Sequence, residues 1–135
     1  MSTSGLDIEV LGIDLLVPDA PTALEVRELC VLALASAGIE DGHLAVEFVD
    51  EDRIQTLNRE FRSIDKPTDV LSFGVDEDGD AIGPRELGDI VICPEHTSDL
   101  REAVVHGTLH LTGMDHEVDD GEMLALQAEL MRWVR

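Results

Sequence analysis

The stretch Asp99-Leu100-Arg101-Glu102-Ala103-Val104-Val105-His106-Gly107-Thr108-Leu109-His110-Leu111-Thr112-Gly113-Met114-Asp115-His116 constrains the fold of this chain more than any other. Asp99 followed three residues later by Glu102 has the form of a helix N-cap, and Gly113 is the residue type that ends a helix. Leu100, Val104 and Leu111, with Gly107 between them, form one apolar stripe, while Val105 and Leu109 fall elsewhere on the wheel. A helix that is apolar on more than one side packs on more than one side, so this one is expected at the centre of the fold. At about 100° per residue, positions four apart lie about 40° apart around the axis. His106 and His110 therefore face one point, and a chain reversal after Gly113 brings His116 back toward them.

The remaining elements must surround that helix. Leu6 to Ile13 alternates apolar and acidic residues at its start, as a half-buried strand does, and Pro18 and Pro21 mark a turn. Thr22 to Ala37 carries Leu24, Leu29, Val31, Leu32 and Ala35 largely at helical spacing, with Gly38 at the C-terminal end. Leu44 to Val49 is a second strand, and Asp50 is placed to cap a helix from Glu51 to about Arg59. After Lys66-Pro67 come a third strand, Val70 to Phe73, and a solvated loop, Asp76 to Asp80. That loop lacks the spacing and terminal Glu of a calcium loop. A fourth strand, Leu87 to Cys93, precedes the histidine helix, and a last amphipathic helix, about Asp120 to Val134, carries Met123, Leu124, Leu126, Leu130 and Trp133. The order β-α-β-α-β-β-α-α predicts an α+β fold: a small mixed four-stranded sheet covered by helices, with a metal site on the penultimate helix and the turn after it. Residues 1–135 hold no repeat, linker or composition break and are expected to form a single domain.

Composition narrows the function. The 9 basic and 30 acidic residues give a net charge of −21, which argues against a generally basic nucleic-acid-binding surface. The excess of acid over one lysine, Lys66, suits a protein kept soluble in concentrated salt, and suits an acidic cytosolic protein equally. The longest apolar run, Leu29 to Ala35, is far short of the roughly 20 residues of a spanning helix. With no basic residue before Arg27 and no early apolar segment, a cytoplasmic location without membrane association is expected. Cys30 and Cys93, each among apolar neighbours, read as reduced core residues. Phe48, Phe61, Phe73 and Trp133 are all the aromatic residues, and a stacking platform for single-stranded nucleic acid is not visible in the sequence.

Three of the 5 histidines fall within one short segment around a helix-ending glycine. Three neutral imidazoles form an open, catalytic type of zinc site, in contrast to the closed four-ligand structural type. His43 and His96 have no such company and read as surface residues. The same His-x3-His-x2-Gly-x2-His spacing occurs in metzincin proteases, where a Glu after the first His is the general base. Here that position is Gly107, which has no side chain to take a proton, so a protease of that type is disfavoured.

The block Val105 to His116 resembles the signature of the YbeY-type rRNA maturation factors, metal-dependent single-strand-specific endoribonucleases. Two further blocks stand in the right order, Phe61-Arg62-Ser63-Ile64-Asp65-Lys66-Pro67-Thr68-Asp69-Val70-Leu71-Ser72-Phe73 and Leu87-Gly88-Asp89-Ile90-Val91-Ile92. The resemblance implies one zinc ion on His106, His110 and His116, a catalytic role for Arg62, and action on single-stranded RNA in small-subunit rRNA end processing and ribosome quality control. A guanidinium at Arg62 suits such a role, because it can clamp a phosphate bidentately and stabilise the charge that builds up on phosphorus.

Arg53, Arg59, Arg62 and Lys66 stand against only Glu60 and Asp65 in their stretch, which predicts a small basic groove near the metal. Asp115 reads equally as an acceptor for an imidazole N–H or as a turn residue. Asp69 and Ser72 match the family block yet are expected to make local hydrogen bonds, and Asp89 has the same ambiguity. Gly74 stands where the family usually has proline, Met114 where tyrosine is common, and the link from Cys93 to the histidine helix is short. These departures bear on the substrate groove and leave the metal ligands intact. Two other readings stay open: a ribosome-assembly factor whose zinc is mainly structural, and a zinc hydrolase of another substrate such as a peptide.

Overall fold

In the computed structural model, which describes residues 5–18, 20–75 and 85–134, strand pairing follows from which segments can bury both faces. Strands β1 (Gly5–Leu11), β2 (Asp41–Phe48), β3 (Val70–Gly74) and β4 (Glu86–Ile92) form one sheet in the order β1-β2-β4-β3. β1, β2 and β4 run parallel, and β3 pairs antiparallel with β4 at the sheet edge. The helices are α1 (Ala23–Ser36), α2 (Glu51–Arg62), α3 (Leu100–Leu111) and α4 (Glu122–Val134). This is the α+β architecture and element order expected from the sequence.

Alternate residues of a strand point to opposite faces, and the two cores divide accordingly. Leu44, Val46, Phe48, Ile90 and Ile92 pack with α1, α3 and α4, whereas Leu71, Val91 and Cys93 pack with Ile54 and Leu57 of α2. The sheet is thus covered on both faces, and α3 lies centrally between the sheet, α1 and α4. Val104, Val105, Thr108 and Leu109 of α3 are fully buried. Arg101 ties α3 to α1 through two hydrogen bonds to the Glu25 carboxylate, of 2.5 and 3.0 Å. Both cysteines are free and buried, and burial pushes the Cys30 thiol up to about 12. Among the described residues, no helix is long and apolar enough to cross a membrane.

Several boundaries and faces differ from expectation. β1 stops at Leu11 because Gly12 turns the chain at φ 74°, against the Phe48 carbonyl, into a short 3-10 turn at Ile13–Leu15. β2 begins at Asp41, since Asp41, Gly42 and His43 pair with Gly5, Leu6 and Asp7 of β1. α2 runs to Arg62 and ends on Ser63 in the left-handed region at φ 59°, a conformation a serine does not advertise. α4 starts at Glu122, its first turn held by the Asp119 carboxylate, which accepts from the Gly121 and Met123 amides. On α1, Leu24 is 63% exposed and Val31 42%, with Val26, Cys30, Ala33 and Leu34 turned inward instead. On α4, Leu124 and Trp133 are exposed and Met131 is buried. The Asp76 to Asp80 loop lies outside the described residues.

Candidate metal centre

Helix α3 does what its spacing requires. The His106 and His110 ring centroids lie 4.8 Å apart, and that of His116 lies 5.2 Å from each. Thr112 closes the helix, Gly113 takes φ 103°, and the Gly113 and Met114 amides donate back to the His110 and Leu109 carbonyls. The chain then turns again on Asp115, whose carboxylate accepts from the Glu117 amide at 2.9 Å. Asp115 is thus a turn residue, and its turn carries His116 back over the helix end.

One nitrogen from each imidazole lies within 4.8 Å of the others, an arrangement that could hold one metal ion. The hydrogen bonds fit the same use. His110 Nδ1–H donates to the Met114 carbonyl at 3.0 Å, and that carbonyl can only accept, so in the neutral ring Nε2 keeps its lone pair. His106 Nδ1–H donates to Gln127 Oε1 at 2.7 Å, which leaves its Nε2 free in the same way. Burial, with His106 nearby, holds the His110 pKa below the usual histidine value and favours the neutral, ligating form.

Gln127 was not singled out in the sequence, yet a signal was present. Met123, Gln127, Leu130 and Met131 fall at i, i+4, i+7 and i+8 on α4, so Gln127 is the polar member of an otherwise buried stripe. Gly107 has a packing reason. A Cβ there would lie 2.6 Å from Ile90 Cγ2 and 3.2 Å from Ser72 Oγ, so the position faces the sheet and has no room for the Glu of a metzincin. Ser72 Oγ–H donates to the Gly107 carbonyl at 3.1 Å, a long-range bond where a local one was expected. Asp69 does bond locally, accepting from the Val70 amide and the Thr68 hydroxyl. Asp89 is exposed, as is His96, which meets Glu51 at 3.2 Å. His43 is partly covered and lies between Glu9 and Glu86.

The three histidines line a groove of about 820 Å³ together with Arg62, strand β3 and the turn after α3. Of the four basic residues expected to form a basic groove, only Arg62 lines it. Arg59 turns to Asp65 at 3.5 Å. Asp69, Asp115 and Glu117 line the same groove, so its protein lining is net acidic and a basic groove is not what the fold builds. An acidic pocket around three imidazoles is electrostatically suited to a divalent cation, which would offset those carboxylates.

The comparisons agree with this architecture. Residues 20–135 match the family model described as Endoribonuclease YbeY. The protein named Endoribonuclease YbeY from Rubrobacter xylanophilus is 45% identical, over 80% of this chain and 82% of its own. Its namesake from Azorhizobium caulinodans is 38% identical over 90% and 91%. The solution structure of TM1509 from Thermotoga maritima superposes with a TM-score of 0.55 at 31% identity, covering 92% of this chain and 86% of that one. With a match over nearly the whole chain and a shared fold, the protein belongs to the YbeY endoribonuclease family.

Proposed function

We propose that this protein is a zinc-dependent endoribonuclease that cuts single-stranded RNA, with His106, His110 and His116 as the metal ligands and Arg62 as the catalytic phosphate-binding residue. The observation that carries the reading is that three convergent imidazoles and an exposed guanidinium share one groove. When bound, the ion supplies Lewis acidity toward a phosphoryl oxygen. The chain's own part is to orient and to bind. Gln127 and the Met114 carbonyl hold two of the imidazoles by their Nδ1 atoms, and Arg62 presents a planar pair of N–H donors to a phosphodiester. Because Asp69, Asp115 and Glu117 repel phosphate, RNA binding should depend on the loaded cation more steeply than in a basic groove.

The names of the relatives support an endoribonuclease, and the family resemblance extends the reading to small-subunit rRNA end processing, ribosome quality control and a cytoplasmic location. Residues 1–135 act in this reading as one domain. The test is cleavage of single-stranded and duplex RNA after chelation, with zinc, manganese, nickel and iron restored one at a time. Restoration by zinc, confined to the single strand, is the expected result. Undiminished cleavage by protein stripped of metal would overturn the metal-dependent reading, and cleavage of casein but not RNA would favour a peptide substrate.

A further inference from the structure

Two of the chain's 3 phenylalanines meet in the metal groove. Phe61, next to Arg62 at the end of α2, and Phe73, on the edge strand β3, form an edge-to-face pair with centroids 5.2 Å apart and planes at 64°. Phe73 is anchored, since it packs against the small core of Leu71, Val91 and Ile54. Phe61 remains 64% exposed. An edge-to-face contact occupies at most one face of a ring, so whichever ring presents its edge, Phe61, which lines the groove, keeps a face that Phe73 does not cover.

We propose that Phe61 is a base-stacking platform, on which one nucleobase of a single-stranded RNA lies while an adjacent phosphate meets Arg62. This rests on the endoribonuclease reading and deepens it. A flat apolar ring beside a guanidinium, in a groove that also holds three imidazoles, matches the two halves of a nucleotide, π-face and phosphate. The groove's carboxylates disfavour a purely electrostatic grip on the backbone, so stacking supplies affinity that the charge pattern does not. A base within a duplex is already stacked on its neighbours and cannot offer its face, so Phe61 would contribute to selectivity for single strands. Every base has a π-face, so the platform is tolerant of sequence.

The test uses the metal-loaded protein and a 2′-O-methylated single-stranded RNA oligomer, with 2-aminopurine moved along its length. In wild type, fluorescence should be quenched at one position, and an abasic nucleotide there should weaken Kd about 5- to 100-fold. Phe61→Ala should lose the quench, bind more weakly by a similar factor and become insensitive to the abasic substitution, while Phe61→Trp should restore both signals. Because the side chain is mostly exposed, the melting temperature of Phe61→Ala serves as the control for folding. Phe61→Ala with wild-type Kd and quench would overturn the stacking role alone, with wild-type cleavage of unmodified RNA leaving the nuclease reading standing. Wild type that neither binds nor cleaves single-stranded RNA would overturn both.

Discussion

His106 on α3 and Gln127 on α4, 21 residues apart in sequence, are joined by a hydrogen bond of 2.7 Å from the imidazole Nδ1–H to the amide oxygen. That bond fixes both the tautomer and the ring plane of a proposed metal ligand, and it makes α4 part of the candidate metal centre. Partners of this kind set affinity through the ligand they hold. Gln127→Leu, which keeps the volume and removes the acceptor, should weaken zinc binding about 10- to 100-fold, as read by competition with a chromophoric chelator. Gln127→Glu keeps an acceptor and should retain tight binding. Equal affinity of wild type and Gln127→Leu would show that the bond does not orient His106.

Arg62 makes a sharper kinetic prediction. As the only one of the four clustered basic residues that lines the groove, it should matter where Arg53 and Arg59 do not. Arg62→Ala should lower kcat/KM for RNA by about 10²- to 10³-fold, with metal content unchanged, and Arg62→Lys should recover only part because it loses the bidentate fork. An equal loss in Arg59→Ala would point to general electrostatics as the cause.

Gly107 sets two local rules against each other. Helix propensity favours alanine over glycine by up to about 1 kcal/mol. A Cβ at 107 would lie 2.6 Å from Cγ2 of Ile90, a β-branched side chain fully shielded from solvent. Overpacking of this kind costs about 1–3 kcal/mol, so after the gain in propensity Gly107→Ala should be destabilised by up to about 2 kcal/mol in urea unfolding. A stabilised variant would show that α3 can lift from the sheet at little cost.

His43 provides a pH-dependent contribution away from the groove. The Glu86 carboxylate, hydrogen-bonded to Nδ1, raises its pKa above the usual histidine value, and Asp7 and Glu9 act in the same sense. Protonation is therefore favoured in the folded state. The resulting stabilisation is fully present below about pH 6.5, the unfolded value, and is lost as pH rises through the higher folded value. The melting-temperature gap between wild type and His43→Gln should be widest near pH 6, close by pH 9 and shrink in molar salt. A gap independent of pH would mean that packing, not charge, is what His43 contributes.

The histidine cluster was legible because it depends on one helix and its end. Helical spacing pairs His106 with His110, and Gly113 forces the turn that returns His116. The order of elements along the chain and the central place of α3 were legible for a similar reason, through apolar periodicity. What escaped were properties set between elements. Nothing local tells Ser63 to adopt φ 59°, so α2 ran three residues past its expected end and carried Phe61 and Arg62 to the groove on its last turn. Leu24, Val31 and Trp133 are apolar yet exposed, because the spacing fits more than one face of a helix and only packing chooses between them. The basic stretch misled for the same reason: charges close in sequence point to different sides, and Arg59 is taken up by Asp65. Gln127 required knowing that α4 lies against α3.

The most direct measurement of the central claim compares wild type with His110→Ala, each purified without added metal, by elemental analysis and single-stranded RNA cleavage on the same samples. The expected result is about one equivalent of zinc in wild type, with metal and cleavage lost together in His110→Ala and a far-ultraviolet spectrum that remains folded. Wild type that cleaves RNA without stoichiometric metal, or His110→Ala that loses its metal and cleaves as well as before, would contradict it.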